Sequence, residues 1–143
     1  SLKDGTKKMS KSELSDFSRI NLTDDKDLII NKIKKAKTDT LPLPSSVDEL
    51  KERHEAKNLL GIYSSLTNST LDKSVNEFGG KNFSDFKERL SQVLVEIMNP
   101  ISQEIKKLIN EKGFLDKILF DGHKKAHKIA SEKVKKMQEI IGF

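Results

Sequence analysis

The residues best suited to chemistry lie near the start of the chain, in the string Lys8-Met9-Ser10-Lys11-Ser12. Gly5 and Lys7 precede it, and few hydrophobic residues surround it, which predicts a loop. Two lysines three positions apart can place two ammonium groups on one polyphosphate, while serine hydroxyls and free backbone N–H groups add neutral donors. Such a loop would stabilise the charge that accumulates on a leaving pyrophosphate. A solvated basic loop is the alternative, because short motifs often match by chance.

Helices must position this loop, because apolar residues recur at helical spacing and no stretch alternates as a strand would. Thr23 or Asp24 would cap the first helix, and Thr70 would cap a short helix that Gly79-Gly80 stops. The sequence therefore predicts an all-α fold, a bundle of about four to six helices preceded by a flexible lysine-rich loop. The predicted helical segments are 23–37, 47–66, 70–78, 83–109 and 114–141, with a non-helical linker at 38–46.

Two residues inside the longer predicted helices are of types that disturb a helix. Pro100 removes one helical hydrogen bond, so we expect a kink there but no break. A split near Gly122 is an alternative for the last helix. Phenylalanines at helical spacing beside leucine and isoleucine are predicted to be core residues rather than base-stacking surfaces: Phe78, Phe83, Phe86, Phe114 and Phe120.

The charge distribution suggests a polyanionic partner. The net charge is +5, and the excess of Lys and Arg lies in the first and last forty residues. Lysines on the last predicted helix would form a stripe along an RNA backbone, although solvated lysines on an amphipathic helix are an alternative. The same two interpretations apply to the lysines that end the first helix, where they complement the helix dipole. The two sets are Lys124, Lys125, Lys128, Lys133, Lys135 and Lys136, and Lys32, Lys34, Lys35 and Lys37.

Composition excludes several classes of function. The absence of cysteine excludes disulfides, thiolate nucleophiles and zinc–thiolate sites. No apolar run approaches the roughly 18 residues of a membrane-spanning helix, so no membrane partner is expected. His123 and His127 share a helix face at a spacing compatible with a metal, but no third ligand is evident, so we predict no metal site.

The loop string, KMSKS in one-letter code, is the second signature of class I aminoacyl-tRNA synthetases. Several further stretches resemble the C-terminal part of the bacterial-type tryptophanyl-tRNA synthetases, and the resemblance covers almost the whole chain. Tyrosyl synthetases share the fold but usually carry a different KxxK variant. The stretches are Phe17-Ser18-Arg19-Ile20, Ile33-Lys34-Lys35-Ala36-Lys37-Thr38-Asp39, Asn58-Leu59-Leu60-x-Ile62-Tyr63, Phe78-x-Gly80-Lys81-x-Phe83-x-x-Phe86-Lys87 and Pro100-Ile101.

The resemblance implies a ligase that activates tryptophan with ATP, as its Mg²⁺ complex, to tryptophanyl-adenylate and pyrophosphate, and then transfers tryptophan to tRNA(Trp). Lys8 and Lys11 would hold the β and γ phosphates, Ser10 and Ser12 would order the closing loop, and Met9 would complete the ATP-binding string by packing. Residues 1–22 would be the loop and tail of the nucleotide-binding domain. Residues 23–143 would be the helical, anticodon-side domain, whose last helix would return towards the catalytic domain. Lys124, Lys125 and Lys128 would contact tRNA.

The other family signature, a HIGH-type histidine loop, is absent from this sequence, as are the strands and the tryptophan pocket. We therefore expect a fragment that does not catalyse adenylation by itself. The resemblance also implies a homodimer for the intact protein. We expect it in the cytoplasm, with an organelle as the alternative. A non-catalytic basic helical RNA-binding module is the second functional hypothesis, and a protein-interaction bundle is the third.

Overall fold

The computed structural model describes residues 1–142 and, within them, contains five α-helices and no strand. The predicted all-α class is therefore confirmed. Short 3₁₀ turns at Asp16–Ser18 and Asp48–Lys51 precede the first and second helices. The helices are α1 (Lys26–Lys34), α2 (His54–Leu66), α3 (Leu71–Phe78), α4 (Phe83–Asn110) and α5 (Lys112–Ile141).

The helix ends follow local capping chemistry. Asp25 caps α1, with its carboxylate accepting a hydrogen bond from the Leu28 N–H at 2.9 Å, so the expected caps at Thr23 or Asp24 were one or two residues early. Thr70 caps α3 as predicted, since its side chain accepts from the Lys73 N–H. α4 continues through Pro100 without a break, and α5 continues through Gly122, which is incompatible with a split there.

The chain divides into two compact units, a first unit of Ser1–Gln103 and a second unit of Glu104–Phe143. The rings of Tyr63, Phe78 and Phe86 lie at the core of the first unit, with edge-to-face centroid distances of 4.8–5.9 Å. The other buried hydrophobic residues all belong to this unit: Leu2, Ile29, Ile33, Ala36, Leu43, Leu50, Ala56, Leu59, Leu60, Val75, Phe83, Leu90, Val93 and Leu94.

The linker at 38–46 is non-helical, as predicted, but it is packed into the first unit. Leu43 is buried, and its backbone N–H donates to the Lys81 carbonyl at 2.9 Å. Its carbonyl accepts from the Gly80 N–H, also at 2.9 Å. Gly80 adopts a positive φ of 75°, which glycine tolerates without strain and which allows the chain to turn between α3 and α4.

The second unit does not bury its apolar side chains. No residue from 104 to 142 is buried. Phe114 is 49% exposed and Phe120 is 56% exposed, so their predicted core positions are wrong, whereas Phe78, Phe83 and Phe86 are buried as predicted. The reason is that helical spacing identifies an apolar stripe but does not reveal whether another element covers it.

None of the five helices, within residues 1–142, combines enough length with enough apolar character to span a lipid bilayer.

Candidate functional site

The lysine loop, residues 8–12, presents its two key cations to solvent. Lys8 and Lys11 are exposed, Met9 is 39% exposed, and Ser10 is partly buried. Neither ammonium group forms an ion pair with a carboxylate of the described residues, so both are available to an anionic ligand. A turn closes the loop, with the Glu13 N–H donating to the Ser10 carbonyl at 3.3 Å.

Neutral donors surround these cations. The hydroxyl oxygens of Ser10 and Ser12 lie 2.9 Å apart and share a hydrogen bond. The backbone N–H groups of residues 8–12 donate to no acceptor within residues 1–142. A short stretch of unpaired N–H groups beside two lysines is suited to phosphate oxygens.

The segment before the loop is anchored at a turn against α2. The Lys7 N–H donates to the Asp4 carbonyl at 3.1 Å, and Asp4 accepts from the hydroxyl and N–H of Thr6. These hydrogen bonds, the hydroxyl first, lower the pKa of Asp4. Gly5 packs on the start of α2, where an added Cβ would lie 2.5 Å from the His54 carbonyl carbon. The turn therefore requires glycine because of close approach.

Leu2 anchors the same segment in the core. Its side chain is buried, its N–H donates to the Ser18 carbonyl at 2.9 Å, and its carbonyl accepts from the Lys37 N–H at 2.8 Å. Burial of a leucine side chain contributes roughly 1.5–3 kcal/mol. The beginning of the loop segment is therefore fixed to the end of α1.

Arg19 anchors the segment that follows the loop. Its Nη1 donates to the Glu13 carbonyl at 2.9 Å and to the Ser10 carbonyl at 3.3 Å. Its Nη2 pairs with Asp16 at 3.1 Å, and its Nε donates to the Asn21 side-chain oxygen at 3.1 Å. One guanidinium therefore connects both carbonyls that flank Lys11 to the chain leading into α1.

Lys32 extends this arrangement into the core. It is fully buried, and its Nζ lies 2.6 Å from both the Asp16 and Asp24 carboxylates. The Asn21 amide donates to the same two carboxylates. The hydrogen bond from Lys32, followed by that from Asn21, lowers the pKa of Asp16. We refer to Arg19, Asp16, Asn21, Asp24 and Lys32 as the charge network.

The RNA-contact alternative is wrong for Lys32 because its side chain is inaccessible, whereas its place in the last turn of α1 agrees with the dipole alternative. The sequence spacing of Lys32 indicates that its side chain is buried. Lys32 lies three residues after Ile29 and four before Ala36, on the face that α1 buries. A lysine at such a position implies a carboxylate partner, since a buried charge is rarely left unpaired.

An open cavity of about 500 Å³ borders the inner side of the lysine loop. Three lysines line it, of which Lys8 belongs to the loop, together with two acidic residues. The lining residues are Ser1, Lys3, Asp4, Lys7, Lys8, Ser10, Glu13 and Ser18. The cavity is thus polar and predominantly cationic.

The lysines predicted to contact RNA lie on α5. All of that helix is solvent-accessible, and the Lys124 ammonium lies 4.4 Å from the Phe120 ring centroid. The rings of His123 and His127 stack at 5.5 Å, and the residues described contain no group of three or more potential metal ligands. Lys124 and Lys128 are four residues apart and share a face, whereas Lys125 is rotated by about 100° from Lys124.

Comparison with known proteins gives a consistent result. The family model described as tRNA synthetases class I (W and Y) matches residues 1–99. The tryptophan–tRNA ligase of Rhizobium meliloti is 48% identical over all 143 residues, and that of Agrobacterium fabrum is 50% identical over the same span. The tryptophan–tRNA ligase of Rickettsia felis is also 50% identical over the whole chain. The chain spans 40% of the length of the first two relatives and 43% of the third.

Proposed function

We propose that this chain, which belongs to the class I tRNA synthetases for tryptophan and tyrosine, forms the C-terminal part of a tryptophan–tRNA ligase. The observation that carries the choice of amino acid is the 48–50% identity to tryptophan–tRNA ligases along the entire chain. The proposed substrates of the whole enzyme are L-tryptophan, tRNA(Trp) and ATP as its Mg²⁺ complex. The proposed location is the cytoplasm, and the proposed assembly is a homodimer.

In the proposed first step, a carboxylate oxygen of tryptophan attacks the α-phosphorus of ATP. The bond from that phosphorus to the bridging oxygen breaks, and pyrophosphate leaves with the electron pair. Lys8 and Lys11 are proposed to bind the β and γ phosphates and to stabilise this developing charge. Their exposure and lack of carboxylate partners among the described residues support this role.

Ser10 and Ser12 are proposed to act as neutral donors in the same loop. Their shared hydrogen bond keeps both hydroxyls on one side of the turn, where either can exchange its partner for a phosphate oxygen. The unpaired N–H groups of residues 8–12 would supply further donors. Met9 is proposed to pack against the nucleotide-binding domain when the loop closes.

Lysines on α5 are proposed to contact the tRNA backbone. The helical period places Lys124 and Lys128 on one face with Lys117 and Lys135, because these residues are separated by seven, four and seven positions. All four are exposed, and Lys125 lies at the margin of this basic face. A row of lysines along a helix follows a line of phosphates without reading bases.

The decisive experiment is ATP–pyrophosphate exchange by the longest reading frame that contains this chain, assayed separately with each of the twenty amino acids. We expect exchange with tryptophan alone and at least a hundredfold loss in Lys11→Ala, since removing one donor to a developing charge costs about 10²–10³ in rate. Lys26→Ala is the matched control, because Lys26 is an exposed lysine outside the loop. The 143-residue chain alone is expected to give no exchange.

The second functional hypothesis, a non-catalytic RNA-binding module, predicts a different outcome. Its basic helices would bind RNA with an affinity that falls with salt, and Lys11→Ala would alter only that affinity. Absence of exchange with any amino acid, from a folded protein of full length, would favour this hypothesis. Exchange with another amino acid would retain the class of enzyme and overturn the choice of tryptophan.

A further inference from the structure

The charge network connects the lysine loop to the core of the first unit. At one end, Arg19 donates to the carbonyls of Ser10 and Glu13, which lie on either side of Lys11 and Ser12. At the other end, Lys32 is fully buried on α1 between two carboxylates. Asp16 joins the two ends, since its carboxylate contacts both cations.

Stability alone does not account for a buried lysine at this position. A buried ion pair gains little over well-packed apolar residues, because removing both charges from water costs about as much as their attraction returns. The neighbouring positions on this face of α1, Ile29 and Ile33, are apolar. What the ion pair adds is direction, because Lys32 fixes the Asp16 carboxylate, and Asp16 holds the Nη2 of Arg19 at 3.1 Å.

We propose that Arg19, Asp16 and Lys32 are positioning residues that hold the lysine loop where Lys11 reaches the nucleotide phosphates. This inference rests on the proposed function, and it assigns a role to residues outside the loop. None of the three is proposed to touch ATP. They act through the Ser10 and Glu13 carbonyls, and a displacement of about 1 Å at a reacting group can cost two orders of magnitude in rate.

The substitution that isolates this role is Asp16→Asn in the full-length enzyme. Asp16 is 47% exposed and Lys32 keeps Asp24 as a partner, so we expect the variant to fold, yet the change removes the charge that Arg19 and Lys32 share. Asp39→Asn is the matched control. It makes the same chemical change in a carboxylate that is 36% exposed and paired with a single arginine, Arg53, away from the loop.

The kinetic readout separates positioning from loss of folded protein. We expect Asp16→Asn to raise the KM for ATP at least fivefold and to lower kcat for exchange at least tenfold, with the KM for tryptophan changed less than twofold. A smaller folded fraction would lower the apparent kcat and leave both KM values unchanged. Arg19→Gln is expected to behave like Asp16→Asn. Arg19→Lys retains one charged donor, so its KM for ATP is expected to lie between that of Arg19→Gln and that of the unsubstituted enzyme.

A second readout does not depend on activity. Trypsin cleaves after Lys8 and Lys11, and its rate reports local opening of the native loop. We expect cleavage at least threefold faster in Asp16→Asn than in Asp39→Asn. Equal cleavage rates together with an unchanged ATP KM would overturn the positioning role. Absence of tryptophan-dependent exchange in the unsubstituted enzyme would instead overturn the proposed function, while the cleavage rates would still test the link between network and loop.

Discussion

Replacing Lys32 by methionine is the most demanding test of the contacts described for α1. The side chains are similar in length, but the substitution removes the cation between Asp16 and Asp24. Lys32 is fully buried and Asp24 is 4% exposed, so Asp24 would remain a buried carboxylate without its cation. We expect a loss of about 3–5 kcal/mol in the free energy of unfolding at pH 7, which is the usual cost of removing one partner of a buried pair.

Most of this cost is expected to come from Asp24, because the half-exposed Asp16 can regain water. Adding Asp24→Asn to Lys32→Met should therefore recover more than half of the lost stability. The measurement is urea unfolding of the 143-residue chain, followed by circular dichroism at 222 nm. With a slope of about 1.5 kcal/mol per molar urea, the single variant lowers the midpoint by about 2–3 M. Lys51→Met, in the exposed pair of Lys51 and Asp48, should leave the urea midpoint unchanged.

The difference in unfolding free energy between wild type and Lys32→Met should also depend on pH. The hydrogen bond from Lys32 lowers the pKa of Asp16, so ionised Asp16 stabilises the fold. That contribution is complete above the pKa of an unfolded aspartate, about 3.9, and is lost as the pH falls through the lower folded value. The stability difference between wild type and Lys32→Met should therefore narrow below about pH 4. A loss below about 1 kcal/mol at pH 7, or no recovery from Asp24→Asn, would refute the reasoning.

Three further predictions concern the core, the turn before the loop and α5. Phe86→Ala, at a fully buried ring, should lower the free energy of unfolding in urea by about 3–5 kcal/mol. Phe120→Ala, at an exposed ring, should change this free energy by less than about 0.5 kcal/mol. Gly5→Ala should accelerate tryptic cleavage of the lysine loop, because its Cβ would clash with the backbone at the start of α2; cleavage at the wild-type rate would contradict that packing. Replacing Lys124 and Lys128 together by glutamine should reduce the magnitude of the negative slope of log tRNA affinity against log salt by about 2. Filter binding from about 50 to 200 mM salt measures this slope, and an unchanged slope would exclude this face of α5 from the tRNA interface.

Much of the fold could be predicted because its signals are local. The cap at Thr70, the end of α3 and the unbroken passage of α4 through Pro100 depend on residues within one or two helical turns. The errors concern partners that are distant in sequence or absent from this chain. Phe114 and Phe120 have the spacing of core residues, yet nothing in residues 104–142 buries them.

In the candidate site, too, the features that depend on local residue types can be predicted, and those that depend on distant partners cannot. The lysine loop was evident from its residue types, since lysine and serine at this spacing suit phosphate chemistry directly. The sequence alone does not assign Arg19 and Lys32 to the site, because their importance depends on which carbonyls and carboxylates they contact. For Lys32, a charged residue on an otherwise apolar helix face indicated a hidden partner, but neither Asp16 nor Asp24 could be chosen from the pattern alone.

One of the stretches that carry the family resemblance, residues 78–87, contacts the chain at the end of α1. Lys87 donates to the Ala36 carbonyl at 2.6 Å and to the Thr38 hydroxyl at 3.3 Å, and burial lowers the pKa of its ammonium group. Its neighbour Phe86 is in the core. Lys87 also donates to the Lys34 carbonyl at 3.3 Å, so it fixes the carboxyl end of α1 to α4. Lys32, in the last turn of the same helix, fixes α1 to Asp16 and Asp24. Because one rigid helix carries both connections, a substitution that shifts α1 should alter the position of the lysine loop even when it contacts neither the loop nor the nucleotide.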